Sequence, residues 1–473
     1  MISKFHKSHQ KFLESAFAFH GAKHTTDFVK QWLKEQNEKV HVKVEKIPFS
    51  QLEKWKFLNG ALRHESGKFF SIEGIRVKTN WGPVPSWEQP IINQPEIGYL
   101  GFIVKEFNGI LHFLMQAKIE PGNINYVQLS PTIQATKSNY TRVHEGKSPL
   151  YLEYFLNAPP DEVWIDQLQS EQGARFLKKR NRNIIIHVKD EIPEYENFIW
   201  LTLAQIKELA QYDNLVNMDT RTVISGITFG NFDADSCIQS HQLSGMESAF
   251  LKSACNNENG LNSLDYILRF VTRHKAGYDL SVTSVALDKV KNWKWDEYKI
   301  HHVENKYFNV IAVRVEIGNR EVVQWTQPMI EPAQEGICAF VCKEINGILH
   351  FAVQAKLECG NFDIIEFAPT VQCLTGNYNN ENSLKTLPFL DYVLKADTKQ
   401  IIFDTHQSEE GGRFYHEQNR NVMVLAGDEI PPELPEHFIW MTLQQLQTFI
   451  RFNNYINVQA RSLISAIRFK HES

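Results

Sequence analysis

Residues 106–140 read EFNGILHFLMQAKIEPGNINYVQLSPTIQATKSNY, and residues 344–378 read EINGILHFAVQAKLECGNFDIIEFAPTVQCLTGNY. The register between the two stretches is constant at 238 residues, from Glu106 against Glu344 to Tyr140 against Tyr378. In each copy an Asn-Gly pair, Asn108-Gly109 and Asn346-Gly347, separates two apolar runs. Both central residues of a type I′ turn need positive φ, so the dipeptide predicts a β-hairpin at the same place in each copy.

The likeness extends in both directions. Trp55 matches Trp293, WEQPII at Trp87 matches WTQPMI at Trp325, and QSEQGARF at Gln169 matches QSEEGGRF at Gln407. FIWLTLAQI at Phe198 matches FIWMTLQQL at Phe438, and Asn217 and Arg221 match Asn457 and Arg461, now two residues further apart. The order is collinear, as expected for duplication of a domain of about 200 residues. The period is far above the roughly 20–50 residues of solenoids. The expected division is 1–235, with an N-terminal helical extension, and 236–473, with a leading linker and helix. KFFSIEGIRVKT and KYFNVIAVRVEI read as strands, as do IIIHV and VMVLA. Thr202 with Gln205, and Thr442 with Gln445, fit the capping box. TTDFVKQWLKEQ at Thr25 and SLDYILRFVTRHK at Ser263 read as helices at corresponding places in the two copies. Each copy is thus expected to be an α+β unit built on antiparallel hairpins.

A net charge of −5 creates no field for nucleic acid. No apolar run is long enough to span a bilayer, and the N-terminus lacks the apolar stretch of a signal peptide. The six cysteines crowd unevenly, with none before Cys237, so free thiols in a reducing, cytoplasmic setting are expected. Neither a dinucleotide-binding nor a P-loop glycine pattern occurs, and no paired Cys/His spacing marks a metal site. No cofactor and no metal are expected.

Four constellations carry candidate chemistry. Lys118 and Glu120, matched by Lys356 and Glu358, project from one strand face, as a pocket wall or as a solvated ion pair. Pro131, Thr132, Gln134, Asn139 and Tyr140 recur as Pro369, Thr370, Gln372, Asn377 and Tyr378, short polar groups suited to a hydroxyl-rich ligand. After Asn139-Tyr140 the copies part: Thr141, Arg142 and His144 face Asn379, Asn380 and Asn382. Histidine titrates near neutrality, which favours the first copy for acid–base work. Ser170 is expected to cap a helix bearing Glu171, whose N-terminus with Arg175 would seat a phosphate or would simply be an amphipathic helix. Trp55 and Trp293 are candidates for stacking on a base, or for the core.

Together, EPGN, LSPTIQATKSNYTRVHEG, SEQGARF and NRN in the first copy, with APTVQC, NY, QSEEGGRF and NRN in the second, resemble the NDP-hexose 2,3-dehydratases. The match covers nearly the whole chain and includes the duplication. The resemblance implies tandem Nudix-like domains, each with antiparallel or mixed sheets and flanking helices, but without the Nudix box. It implies a homodimer and a nucleotide-sugar pocket in each copy, one catalytic and the other vestigial or structural. The implied substrate is dTDP-4-keto-6-deoxy-α-D-glucose, and a separate 3-ketoreductase would capture the product. Carried over, Ser138, Asn139, Tyr140, Thr141 and Arg142, with Gln134, Ser170 and Arg175, would hold the nucleotide sugar in the first copy, and Trp55 would lie against thymine. Trp293, Thr370, Val371, Gln372, Asn377 and Tyr378, with the loop Glu409, Glu410, Gly411, Gly412 and Arg413, would form the second pocket. For acid–base work the candidates are His144, Tyr140, Lys118 and Glu120, in falling order, with the first copy favoured as catalytic. The competing expectations are a non-catalytic nucleotide-sugar binder and an epimerase on the same 4-keto sugar.

Overall fold

The computed structural model describes residues 2–136, 148–255, 260–318, 324–377 and 387–470. Each copy contributes a seven-stranded sheet. In the first, the hairpin Tyr99–Phe107 and Ile110–Ile119 forms the centre, with Arg180–His187 running parallel to Tyr99–Phe107. Val127–Ser130 and Ile133–Ala135 add to the two hairpin strands. The second sheet repeats this order around Gly336–Ile345 and Ile348–Leu357. Asn108 and Gly109 have φ of 51° and 81°, Asn346 and Gly347 54° and 76°, so both Asn-Gly turns are as the sequence predicts. Both capping boxes form, opening the helices Leu203–Leu209 and Leu443–Ile450.

The two smaller sheets are exchanged. Strand Val42–Ile47 of the first copy pairs with Phe308–Ile317 of the second, and Leu280–Val285 of the second pairs with Ser71–Thr79 of the first. One hydrophobic cluster therefore runs through both copies, taking in Phe102 and Phe113 as well as Phe340 and Phe351. The segment expected to be a linker holds a helix, Gly245–Cys255, which stands where Ile2–Phe17 stands in the first copy. Phe250 stacks on Phe351 at 6.3 Å as Phe12 does on Phe113 at 6.1 Å. Ser253 and Ser15 each donate to a hairpin carbonyl, Leu349 and Leu111, at 2.6 Å. The two hydroxyls also accept from equivalent amides, Leu203 N at 2.9 Å and Leu443 N at 2.8 Å.

Helices Met218–Ser225 and Val458–Ser465 meet at the junction of the halves and exchange buried arginines. Arg221 donates to Ser462 Oγ and the Ser408 carbonyl; Arg461 donates to Thr222 Oγ1 at 2.8 Å and to the Ser170 carbonyl. Nearby, Lys207 is buried and its ammonium reaches the Ser465 carbonyl at 3.1 Å. Burial pushes its pKa down to about 7. The second copy has Gln447 in this place, donating to the Ile227 carbonyl at 3.2 Å. An unfolded lysine titrates near ~10.4, so above pH 7 the unfolded chain holds the extra proton and stability rises with pH; below pH 7 the full penalty applies. Lys207→Gln is expected to stabilise the protein at pH 7 by about 2–4 kcal/mol in denaturant unfolding. The gain should shrink by more than half at pH 9; an unchanged or lower stability at pH 7 would contradict it.

Candidate active site

A cavity of about 740 Å³ lies against the first copy's large sheet. That is within the ~300–1,000 Å³ usual for small-molecule sites. Its wall is the end of strand Ile110–Ile119, where alternation points Lys118 and, just beyond, Glu120 the same way. Lys118 Nζ is 3.2 Å from the Gln134 carbonyl and 4.0 Å from Glu120. Gln134 is held on both sides: its amide nitrogen donates to Glu120 at 2.7 Å, and its oxygen accepts from Ser130 at 2.9 Å and Asn217 at 3.0 Å. Asn217 also caps the helix Met218–Ser225 through Thr220 N at 2.8 Å. One network thus fixes Glu120 and places Asp219, the second residue of that helix, on the cavity.

The opposite wall comes from the second copy: Trp325, Thr326 and Gln327, with Glu410, Gly412 and Arg413. The exchange depends on EPGN. Gly122 N donates to the Gly411 carbonyl at 2.8 Å, and His416 N to the Gly122 carbonyl at 2.8 Å. A Cβ on Gly122 would lie 1.7 Å from the Phe414 carbonyl oxygen, so only glycine allows this approach. Gly360 of ECGN does the same in the other direction, with Phe176 at 1.8 Å.

The electrostatics are dominated by carboxyl groups in a desolvated space. Burial, then the charges of Glu171, Glu410 and Glu120, hold the Asp219 carboxyl well above the usual carboxylate range, against the pull of Lys118. Burial and then Glu120 push Glu410 up to about 7, with Arg413 opposing. Glu171 is raised by burial and accepts from Asn181 at 2.6 Å. Lys179 is lowered by burial, Glu171 acting against it. Among the described residues no group of three or more His, Cys, Asp or Glu side chains is arranged to hold a metal ion.

The second copy repeats the scaffold. Lys356 reaches the Gln372 carbonyl at 3.2 Å, Gln372 donates to Glu358 at 2.9 Å, and Asn457 donates to Gln372 at 2.7 Å. Its charges differ. Gln459 replaces Asp219, Glu417 replaces Lys179, and Gln172 from the first copy replaces Glu410. Both amide atoms of Gln459, Oε1 of Gln172 and Oε2 of Glu417 are buried without a hydrogen-bond partner among the described residues.

The structure redistributes the predicted site. The loop Glu409–Arg413, expected in the second pocket, is divided: Glu409 stays there, accepting from Asn419 at 2.5 Å, while Glu410, Gly412 and Arg413 line the first copy's cavity and Gly411 binds Gly122. Arg175, expected in the first pocket, lies 4.3 Å over Phe308 of the second copy, as Arg413 lies 4.2 Å over Phe70 of the first. The reason is the crossing of both loops at EPGN and ECGN. Ser170 caps no helix. It ends the strand Val163–Ser170 and donates to Glu366 of the second copy at 2.7 Å. The chain then folds back through Glu171 N to the Lys179 carbonyl at 3.0 Å, so the helix N-terminus proposed for a phosphate is absent.

Trp55 borders the cavity but is mostly buried, its indole N–H donating to the Thr326 carbonyl at 2.9 Å; Trp293 mirrors it toward Glu88 at 2.9 Å. The Thr370 hydroxyl is engaged by the Ala352 carbonyl and Val341 N, and the Val371 side chain is packed in the core, so both serve the fold. Ser138, Asn139, Tyr140, Thr141, Arg142, His144 and Tyr378 lie outside the described residues. Asn377 closes the 3-10 turn Thr375–Asn377. Asp219, Lys179 and Trp325 escaped the sequence reading. Asp219 against Gln459, inside the aligned blocks from Asn217 to Arg221 and Asn457 to Arg461, was the available signal.

The family model for NDP-hexose 2,3-dehydratase matches twice, over residues 26–227 and 264–467. Over 464 residues the chain is 44% identical to a dTDP-4-dehydro-6-deoxy-alpha-D-glucopyranose 2,3-dehydratase of Saccharopolyspora spinosa, covering 97% of this chain and 94% of the relative. Proteins of the same description from Streptomyces violaceoruber and Amycolatopsis orientalis are 43% and 39% identical, over 92% and 96% of this chain and 96% and 92% of theirs. With two family matches that coincide with its two halves, the chain belongs to the NDP-hexose 2,3-dehydratase family.

Proposed function

We propose that this protein removes water across C2 and C3 of dTDP-4-keto-6-deoxy-α-D-glucose, giving the 3,4-diketo-2,6-dideoxy sugar. The observation that carries the reading is the shared cavity, where Lys118, Glu120 and further carboxyl groups of both copies converge. The relatives named above supply the substrate. The C4 ketone acidifies the C3 proton, so the substrate provides its own electron sink. What remains for the protein is a base for C3, positive charge at the developing C4 enolate oxygen, and a proton for the leaving hydroxyl. Glu120, oriented by Gln134, is assigned as the base, and Lys118 as the group that stabilises the enolate. Arg413 is assigned to the diphosphate, whose charge a guanidinium matches, with the segment Ser138–Arg142 and Trp55 toward the nucleoside. Tyr140 and His144 stay acid–base candidates.

A homodimer, a cytoplasmic location and a 3-ketoreductase acting next belong to the same reading, as does the Nudix-like kinship of the two halves. Among the described residues no helix is long and apolar enough to cross a membrane.

The test is incubation of the purified chain with dTDP-4-keto-6-deoxyglucose and o-phenylenediamine, which captures adjacent diketones. Mass spectrometry should find the quinoxaline adduct, its sugar having lost one water in the elimination and two more on condensation with the diamine. Exchange of the C3 proton in D2O without loss of water would favour an epimerase. Binding with neither exchange nor elimination would leave a nucleotide-sugar binder.

A further inference from the structure

We propose that Asp219 is the acid of the cavity, the group that protonates the departing C2 hydroxyl. The inference rests on the dehydratase reading above and adds a residue to it. Asp219 is only 3% exposed, yet it lines the cavity. Among the described residues no hydrogen bond reaches its carboxyl group, whereas Glu120, Glu171 and Glu410 each accept at least one. Its carboxyl group is thus open to whatever fills the cavity, water in the resting protein and a substrate hydroxyl when the sugar is bound.

Its protonation state suits the role. The start of the helix Met218–Ser225 favours a negative charge on Asp219. Burial and three neighbouring carboxyl groups act against that charge and raise the group well above the usual carboxylate range, which favours its protonated form. Its position is fixed as well. Asn217, two residues earlier, is tied through Gln134 to Glu120, which places acid and base on one rigid network.

The second copy provides an internal control. It keeps the lysine, glutamate and glutamine of the scaffold as Lys356, Glu358 and Gln372, but has Gln459 in place of Asp219. An amide of similar polarity cannot deliver a proton. The difference therefore falls on proton donation rather than on the scaffold.

The steps balance. Glu120 takes the C3 proton and the electron pair moves onto the C4 oxygen beside Lys118. The enolate re-forms the C4 carbonyl, C2=C3 forms, and the C2–O bond breaks as Asp219 protonates the hydroxyl, releasing water. The resulting enol takes a proton at C2 from Glu120 and returns its C3 hydroxyl proton to the Asp219 carboxylate, restoring both groups.

The test compares the parent chain with Asp219→Asn and Asp219→Gln, the latter copying the amide that the fold accepts at Gln459. Each is incubated with dTDP-4-keto-6-deoxyglucose in D2O. Deuterium at C3, trapped diketone and dTDP affinity by calorimetry are measured. Water loss should fall by about 100-fold or more. C3 exchange should stay within about 5-fold and dTDP affinity within about 2-fold, because enolate formation and binding do not use this proton. Water loss within about 5-fold of the parent would overturn the proposal. So would parallel loss of exchange and elimination with dTDP binding intact, the result for a base or a positioning residue. If the amides do not fold, Asp219→Glu must still eliminate water measurably, and its complete inactivity with normal exchange absent overturns the assignment. A parent that neither exchanges nor eliminates fails the dehydratase reading itself, a result distinct from all of these.

Discussion

Gly122→Ala is expected to destabilise the protein by about 3 kcal/mol or more and to remove most of its activity per folded molecule. The methyl group would meet the Phe414 carbonyl oxygen at 1.7 Å and the Gly411 carbonyl at 2.7 Å. Neither is a side-chain tip that can swing aside, so the loop carrying Glu410 and Arg413 must retreat, and overpacking of this kind costs about 1–3 kcal/mol or more. The retreat opens the cavity wall that the second copy supplies. Gly360→Ala makes the mirror-image clash, with the Phe176 carbonyl at 1.8 Å, and should cost similar stability. It displaces the loop from Glu171 to Lys179, which also borders the cavity at Phe176 but leaves Glu410 and Arg413 in place, so a smaller loss of turnover than for Gly122→Ala is expected. Denaturant unfolding together with turnover corrected for folded fraction checks both. Full turnover in folded Gly122→Ala would contradict the role given to the wall that carries Glu410 and Arg413.

Arg461→Ala should be the most damaging change to the junction between halves, at about 3–5 kcal/mol. Its guanidinium is buried and donates to Thr222, Ile456 and Ser170. Truncation takes the guanidinium donors from the buried Ile456 and Ser170 carbonyls and leaves the Thr222 hydroxyl only the Asn183 amide at 3.4 Å, and a buried acceptor left without its donor costs more than the bond contributes on average. Because Ser170 leads directly to Glu171 of the cavity, loosening it should also reduce turnover at temperatures where the protein stays folded. Arg221→Ala removes the equivalent anchor from Ser408 and Ser462 and should cost similar stability. Thermal unfolding and turnover at about 20 °C below each midpoint separate the two effects; a cost below about 1 kcal/mol for Arg461→Ala would show that the junction does not depend on it.

The local elements were legible because their causes are local. Asn108-Gly109 and Asn346-Gly347 dictate hairpins through positive φ. Thr202 and Thr442 cap helices through amides three residues away. Lys118 and Glu120 share a face because strand side chains alternate. The error at Ser170 has a local cause too. Serine before glutamate is a sound helix start in isolation, but its hydroxyl finds Glu366, 196 residues away, and Gly173 is pressed against Asn361 of the other copy.

By itself, the sequence determined that this protein is one unit duplicated, where the hairpins and capped helices of each unit fall, and which family they resemble. Comparing the copies also held the contrasts of Asp219 with Gln459 and Lys179 with Glu417, though as isolated differences. Only the tertiary structure decided that Glu410 of the second copy faces Asp219 of the first, and that Arg175 and Arg413 trade sides. The physical reason is that backbone exchange is set by long-range fit. Two glycines allow main chains to approach within hydrogen-bonding distance, and two strands complete each other's sheets, across separations that no sequence window spans.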